Sequence, residues 1–543
     1  MKEKRDYKKD KIEYATIIFF SIGIFFFLYF INAYGLFPYH TDEWQHLSMI
    51  RYIATNHKIN VNPYFGTSII DYEVAFHAIG SLIYGILGQF FIRYYRLFSF
   101  ACLSIILFMI CFFFKKNKNL LAGITAAVLI STIKSNVNVL GLDFFVPLSI
   151  GLFLLTLEIM LKDIKKRMIN SIITLLVYPP IGLLIIIVVI FDSINEVIKG
   201  YKKSKGLWKN IKKYYAHYVF FILILFVVAT VFSIMGIHTA FSAIFFNRRW
   251  VQIIVKYNLI LLFGIPNLIL AAFAVFMLLL NDKDNSLNTN MKIARIRNKD
   301  NWFGLNYPKS NGYILNLIAR LVRYAFVLAI ILILYYAYNV SIIVPIPRAI
   351  YVFYFVALFL SGIGMYYAAF YVYSLIKNIF LRYSTKKTRS FLIVSALASV
   401  AVILLFVALS YYNSYSEFNS MEKYNSFEFN SKTYAILADL ADFTSQGWNG
   451  IVIAPPYYSS AIYPITGLRP MAIVPGQLSG GNVSLWNDFY MGNCNTKLAI
   501  IKSINKSVMV VSNSIISCSP LKNIFIKSDG YYDFYFYSYN QSS

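Results

Sequence analysis

Long apolar runs separated by short basic loops dominate the chain. Several runs are long and free of charge, such as "YATIIFFSIGIFFFLYFINAY", "YVFFILILFVVATVFSIMGI" and "YAFVLAIILILYYAYNVSIIV". A helix of about 20 such residues covers the hydrocarbon core of a bilayer. The pattern predicts an α-helical polytopic membrane protein with about eleven transmembrane helices.

The predicted spans follow one another over the first 412 residues. They lie at about 13–33, 95–114, 119–135, 142–161, 169–178, 180–198, 214–235, 252–280, 321–340, 348–376 and 390–411. The pair at 169–178 and 180–198 is the least regular, because it breaks at the sequence "YPP" and its first half is too short to span alone.

Basic residues set the predicted orientation. Most of the 50 Lys and Arg residues fall in short blocks such as "KKNK", "KDIKKR" and "KGYKKSKGLWKNIKK". Short cytoplasmic loops are positive, so the protein is predicted to be a multi-pass protein of the cell membrane with its N-terminus in the cytoplasm. The apolar segment 75–92 would reverse this pattern as a further span, so it is predicted to lie in the interface as an amphipathic helix.

Composition agrees with a membrane protein. The 543 residues are 58% hydrophobic and only 14% charged, whereas soluble domains have about 25% charged residues. The net charge of +26 sits in loops rather than in one basic stripe with base-stacking aromatics, so no nucleic-acid partner is predicted.

The sequence pattern of the chain changes after residue 412. Short β-rich runs such as "GIVIA", "SVMVVSN" and "YYDFYFYSY" alternate with helical patterns, which predicts a small extracytoplasmic α/β domain over 413–543. Cys494 and Cys518 lie in this domain. An oxidising location permits a disulfide between them, but the sequence does not show whether they meet.

The first outer loop, at about 34–94, contains the candidate chemistry. It opens with "YHTDEWQHL", in which Asp42 and Glu43 are adjacent acids directly after the first span. One interpretation is structural, since acids in the first turn of a helix with Thr41 as N-cap are favoured by the helix dipole. On a helix the two acids point about 100° apart and cannot share one role, while Asp42 and His46 share a face.

A first span followed by an outer loop that opens with an acidic pair resembles the C-type glycosyltransferase (GT-C) superfamily, whose members are multi-span enzymes that use polyprenyl-phosphate sugars. Further segments are similar in the same order, and together they cover most of residues 13 to 376. They are "NPYFG…AFHAIGSLIYGILG", "RYYRLFSFACLSIILFMICFFFKKNK", "GLDFFVPLSIGLFLLTLE" and "PIPRAIYVFYFVALFLSGIG".

The resemblance implies transfer of a sugar from a polyprenyl-phosphate carrier to an acceptor hydroxyl on a lipid-linked glycan, a lipid or a protein, with inversion. It implies Asp42 as the general base and Glu43 as a group that supports the base or binds the acceptor. Candidate groups for the substrate and its phosphate are Arg93, Arg96, Arg248, Arg249, Arg348, His46 and Asp143. The arginines could instead snorkel to lipid headgroups, and Asp143 could cap a helix.

No cofactor is predicted. A divalent ion held by members of the set His40, Asp42, His46, Asp71 and Glu73 is the alternative, but their spacing forms no tight ligand signature. The oligosaccharyltransferase branch of the superfamily uses a metal, yet its "WWDYG" motif is missing here.

Two other functions compete with an enzyme. A flippase or transporter of lipid-linked glycans predicts inverted repeats and charged residues in the middle of spans. The sequence shows no repeat, and its spans are nearly free of mid-membrane charge. A surface-anchored binding protein would need one span rather than eleven.

Overall fold

The computed structural model describes residues 2–31, 36–69, 71–135, 139–203, 258–287, 312–383, 389–422, 429–443, 450–474, 480–519, 521–528 and 533–539, together with a few single positions. Within these ranges the chain is mainly helical up to residue 422 and mixes helices with strands after it.

The helices are numbered here in chain order. They are α1 (Lys2–Ile31), α2 (Thr41–Asn56), α3 (Val74–Leu87), α4 (Gln89–Arg93), α5 (Tyr95–Lys116), α6 (Leu120–Ser131), α7 (Pro147–Met160), α8 (Ile164–Val177), α9 (Pro179–Lys203), α10 (Leu259–Phe263), α11 (Ile265–Leu287), α12 (Gly312–Tyr338), α13 (Ile346–Tyr383), α14 (Arg389–Glu422), α15 (Ser431–Phe443), α16 (Pro456–Thr466), α17 (Val483–Met491) and α18 (Cys494–Ile504).

The apolar runs form helices where they were expected. Among the described residues, six helices are long and apolar enough to cross a membrane, namely parts of α1, α5, α9, α12, α13 and α14. Four shorter apolar helices, α3, α6, α7 and the first part of α11, accompany them. The expected span at 214–235 lies outside the described residues apart from single positions. These helices, with the C-terminal sheet, confirm the predicted fold class.

The described chain divides into two compact units. The first, a helical unit, comprises Met1–Phe27, Ala101–Asp143 and Leu148–Lys423. The second comprises Leu28–Phe100, Phe144–Pro147 and Tyr424–Ser543, so it joins the predicted outer loop to the C-terminal segment.

Helix α13 lies at the centre of the helical unit. In the most apolar stretch of this helix, 89% of the residues are buried. Helix α13 packs against α6, α11, α12 and α14. Close approach is made by small residues: a Cβ atom added at Gly362 would lie 2.3 Å from the Cα atom of Ala126, and one at Gly364 would lie 1.9 Å from the carbonyl oxygen of Leu270. Small residues at such contacts let membrane helices pack backbone to backbone.

The second unit contains a five-stranded sheet. Its strands are β1 (Ile451–Ile453), β2 (Arg469–Pro470), β3 (Val508–Ser512), β4 (Lys522–Ser528) and β5 (Asp533–Tyr539). They follow the order β2-β1-β3-β5-β4, in which β1 is parallel to β2 and β3, and β5 is antiparallel to β3 and β4. Strand β3 is buried along its whole length. Helices beside a mixed sheet agree with the predicted α/β character.

A disulfide joins Cys494 and Cys518, whose Cα atoms are 5.3 Å apart. Cys494 is the first residue of α18, and Cys518 lies in the loop between β3 and β4. The pairing that the sequence left open is therefore formed, and it fastens that loop to a helix beside the sheet.

The loop that contains α2 packs directly on the C-terminal segment. The Gln45 side chain donates to the carbonyl of Val474 and accepts from the N–H of Leu478. The Tyr64 hydroxyl lies 2.8 Å from the carbonyl oxygen of Ser460. An apolar cluster around Met49, Tyr64, Tyr463, Ile473 and Leu478 fills the space between these bonds. The C-terminal segment thus supports the helix on which the candidate acids lie.

Candidate active site

Helix α2 begins with a capping box built around His40. The His40 Nδ1 atom accepts the backbone N–H of Asp42 at 3.0 Å, and the Glu43 carboxylate accepts the backbone N–H of His40 at 3.1 Å. These bonds satisfy N–H groups that a helix start leaves free. The expectation of Thr41 as N-cap was wrong, because Thr41 is already helical and the imidazole of His40 supplies the acceptor.

Glu43 is fully buried, and its carboxylate is surrounded by backbone donors. One oxygen, Oε2, accepts the N–H groups of Tyr39 and His40, and the other, Oε1, accepts the N–H of Phe145 at 2.9 Å. Burial raises the pKa of Glu43 to about 7, although the Arg96 charge and these three N–H groups act in the opposite direction. Both oxygens are thus engaged by the protein, and Glu43 fastens the start of α2 to the segment 144–147.

Asp42 differs from Glu43 in exposure. About 20% of its side chain is exposed, and its Oδ2 atom lies 3.8 Å from Nδ1 of His40. Since that same nitrogen accepts the N–H of Asp42, it has no proton to offer the carboxylate. A partly exposed carboxylate on the first turn of a firmly anchored helix is a suitable position for a general base.

The two arginines beside this loop have different surroundings. Arg96, in the first turn of α5, is half-buried between the rings of Tyr39 and Phe100, each 5.7 Å from its guanidinium carbon. Arg93 is exposed, and its guanidinium lies 4.9 Å from the centre of the Tyr434 ring. Of these two arginines, Arg96 is the one whose charge lowers the pKa of Glu43.

His46 lies one turn after Asp42 in a buried polar cluster. Its Nδ1 atom is 3.0 Å from Nε2 of His77 and 3.6 Å from Oε2 of Glu73. Behind His77, the Asp71 carboxylate lies 2.8 Å from its Nδ1 atom. His46, Glu73 and His77 offer ligand atoms that all lie within 4.8 Å of one another, so these three residues could hold a metal ion. The set of metal ligands expected from the sequence contains His46 and Glu73 but lacks His77.

Asp143 and Arg348 belong to the helical unit. The Asp143 carboxylate accepts the N–H of Ser135 at 2.8 Å, and Tyr351 accepts the N–H of Leu142 at 2.9 Å through its hydroxyl oxygen. Arg348, in the first turn of α13, donates to the carbonyl of Leu140 at 3.2 Å. Asp143 and Arg348 thus brace the same short turn, from residue 139 to residue 143. The other two candidates, Arg248 and Arg249, lie outside the described residues.

A buried charge network links four helices of the helical unit. Arg167 of α8 lies 2.5 Å from Glu158 of α7 and 2.6 Å from Asp192 of α9. Arg323 of α12 also pairs with Asp192, and the Tyr324 hydroxyl donates to Glu158. Local sequence patterns do not reveal this network, because its partners lie on different helices, up to 166 residues apart along the chain. Removing one partner from such a buried group of opposite charges is destabilising, so the network is expected to hold these helices together.

Comparison with known proteins gives the fold. The chain matches no family model and none of the curated proteins in sequence. In structure it is similar to the oligosaccharyltransferase AglB from Archaeoglobus fulgidus in complex with an inhibitory peptide and a dolichol-phosphate, with a TM-score of 0.53 and 10% identity over 92% of this chain and 69% of that chain. A crystal structure of the Archaeoglobus fulgidus oligosaccharyltransferase in complex with Zn and sulfate gives a TM-score of 0.50 and 11% identity over 91% and 67% of the two chains. The protein therefore has a fold similar to that of this archaeal oligosaccharyltransferase.

Proposed function

We propose that the protein is a membrane glycosyltransferase that moves a sugar from a polyprenyl-phosphate carrier to an acceptor hydroxyl on the extracytoplasmic side. The observation that carries the proposal is the pair of acids at the start of α2. Asp42 is partly exposed while Glu43 is fully buried, in a chain with the fold of an enzyme that binds dolichol-phosphate and a peptide.

The chemistry needs one base and positive charge. Attack of a hydroxyl on an anomeric carbon is assisted by a group that removes its proton, and we assign this role to Asp42. A direct attack inverts the anomeric centre. The leaving lipid phosphate is stabilised by cations more than by an acid, and guanidinium groups match its geometry. Arg96, which lies in the same compact unit as Asp42, is the phosphate-binding group that we assign among the described residues.

Glu43 is assigned a supporting role. Its two oxygens are engaged by three backbone N–H groups, so it holds the first turn of α2 rather than the acceptor. Adjacent residues on a helix point about 100° apart. Anchoring Glu43 into the protein therefore directs the neighbouring Asp42 away from the same interior.

The ligands bound to the archaeal enzyme support two of the partner classes that we propose for this chain. Its dolichol-phosphate supports a polyprenyl-phosphate donor, and its inhibitory peptide supports a peptide among the acceptor classes. A lipid-linked glycan and a lipid are the other acceptors proposed for this chain.

The test is a transfer assay in liposomes that contain the purified protein. Polyprenyl-phosphate sugar or nucleotide sugar, each labelled in the sugar, is supplied with acceptors of the three classes. We expect label to leave only the polyprenyl carrier and to join one acceptor class. If the intact labelled carrier crosses the bilayer and no label leaves either carrier, the protein is a transporter and the proposal is wrong.

A further inference from the structure

We propose that His46, Glu73 and His77 bind a zinc ion that fastens α2 to α3. The three residues come from two elements: His46 lies on α2, Glu73 is the N-cap residue of α3, and His77 lies in its first turn. All three are buried. The inference concerns a metal site of this chain and does not depend on the proposed transfer reaction.

The ligand atoms are spaced for a small ion. Zinc bonds nitrogen and oxygen at about 2.0–2.2 Å, so tetrahedral ligands lie roughly 3.4 Å from one another. The Nδ1 atom of His46 is 3.0 Å from Nε2 of His77 and 3.6 Å from Oε2 of Glu73. Shifts of a few tenths of an ångström, about 0.4 Å at most for these two pairs, reach the zinc spacing.

Asp71 orients two of the three ligands. Its Oδ2 atom accepts the Nδ1–H of His77 at 2.8 Å, which leaves the Nε2 lone pair of His77 directed at His46. Its Oδ1 atom accepts the backbone N–H of Glu73 at 2.9 Å. A carboxylate behind a histidine in this manner is the usual partner of a metal-binding imidazole.

The charges and donor types favour zinc. When both imidazoles bind a metal in their neutral form, the charge of a divalent cation offsets the two carboxylates of Asp71 and Glu73. Two imidazole nitrogens and one carboxylate oxygen suit zinc rather than magnesium or calcium, which prefer oxygen alone. Three protein ligands leave a fourth position for water.

The competing structure is a metal-free hydrogen bond between His46 and His77. In that case Nδ1 of His46 carries a proton and donates it to Nε2 of His77. The two structures differ in metal content and in the coordination spectrum, so they are separated without any measurement of sugar transfer.

The experiment measures zinc in the full-length protein, purified in detergent from cells supplied with zinc and dialysed against metal-free buffer. We expect about one zinc ion per chain in the wild type and loss of zinc in His77→Gln. The matched control is His57→Asn, since His57 is exposed at the end of α2 and asparagine tolerates its left-handed backbone, φ 54°. Asp71→Asn keeps the three ligands, and we expect its zinc affinity to fall about 10–100-fold.

Cobalt substitution is done on the wild-type protein, so this second test does not depend on whether a variant folds. Wild-type protein stripped of zinc and loaded with Co²⁺ should show the visible absorption of a four-coordinate site, and an excess of Zn²⁺ should abolish it. Wild-type protein that binds neither metal overturns the proposal in favour of the hydrogen-bonded pair, and so does full zinc retention in His77→Gln. Asp42→Asn should keep its zinc, so a failure of the transfer proposal stays separate from a failure of this one.

Discussion

Replacing Glu43 by glutamine tests how the start of α2 is anchored. Both oxygens of a carboxyl group have lone pairs that accept hydrogen bonds, whether the group is ionised or protonated, whereas only one of the two ends of glutamine accepts them. If its oxygen takes the place of Oε2 and serves Tyr39 and His40, its NH₂ group faces the N–H of Phe145. A buried donor left without an acceptor costs about 1–3 kcal/mol. We therefore expect Glu43→Gln to lower the free energy of unfolding by about 1–3 kcal/mol at pH 5.

Glu43 should also make the free energy of unfolding depend on pH. Burial raises the pKa of Glu43 from 4.5 to about 7, so between these values the folded protein holds a proton that the unfolded chain has released. The stabilisation from Glu43 is thus complete below pH 4.5 and is lost as the pH rises through 7. A rise in the pKa from 4.5 to about 7 corresponds to about 3 kcal/mol. From pH 5 to pH 8 the wild type should therefore lose about 2–3 kcal/mol of stability relative to Glu43→Gln, which closes the gap of about 1–3 kcal/mol at pH 5 or reverses its sign.

The assay is detergent-induced unfolding of the purified protein at a series of pH values, with Asp10→Asn as the control. The Asp10 side chain is 68% exposed and lies beside Lys115, so its loss should leave the pH slope between pH 5 and pH 8 unchanged. A gap that widens as the pH rises would show that the N–H groups and Arg96 lower the pKa of Glu43 more than burial raises it, and would refute this reasoning.

Two further predictions concern stability. Arg167→Met removes the cation that contacts both Glu158 and Asp192, while Tyr324 still donates to Glu158 and Arg323 still pairs with Asp192. We expect the free energy of unfolding to fall by about 3 kcal/mol, the low end of the range for breaking a buried ion pair. A loss below about 1 kcal/mol would contradict a fastening role for the network. Cys494→Ser opens the loop that the disulfide closes with Cys518, 24 residues away, and should cost about 3 kcal/mol in the stability of the C-terminal segment. Limited proteolysis should then cut this segment sooner, and an unchanged rate of cleavage would show that the disulfide adds no stability.

The membrane helices were predictable because their signal is local. Each apolar run needs lipid or protein around it on all sides. A helix pairs the N–H and C=O groups of its own backbone, so it can form there without water. The break expected at "YPP" was also correct, since α8 ends at Val177 and α9 begins at Pro179. Proline in the first turn of a helix needs no N–H partner.

The candidate site was predictable only in part. The acidic pair and its position on a helix follow from nine residues of sequence. The role of Glu43 does not, because one of its donors is the N–H of Phe145, far along the chain. His77 was missed for a similar reason: it meets His46 only after the loop between α2 and α3 folds back. The packing of Tyr64 against Ser460 likewise joins segments that no local pattern connects.

The measurement that tests the central claim most directly is the rate of sugar transfer by Asp42→Asn in liposomes. The matched control is Asp10→Asn, since the Asp10 side chain is 68% exposed on α1. With Asp42 as the general base, Asp42→Asn should be slower than wild type by about 10²–10⁴-fold, with zinc content and stability unchanged, while Asp10→Asn stays at the wild-type rate. An Asp42→Asn protein that transfers sugar within about twofold of the wild-type rate would contradict the account, because a general base contributes far more than that.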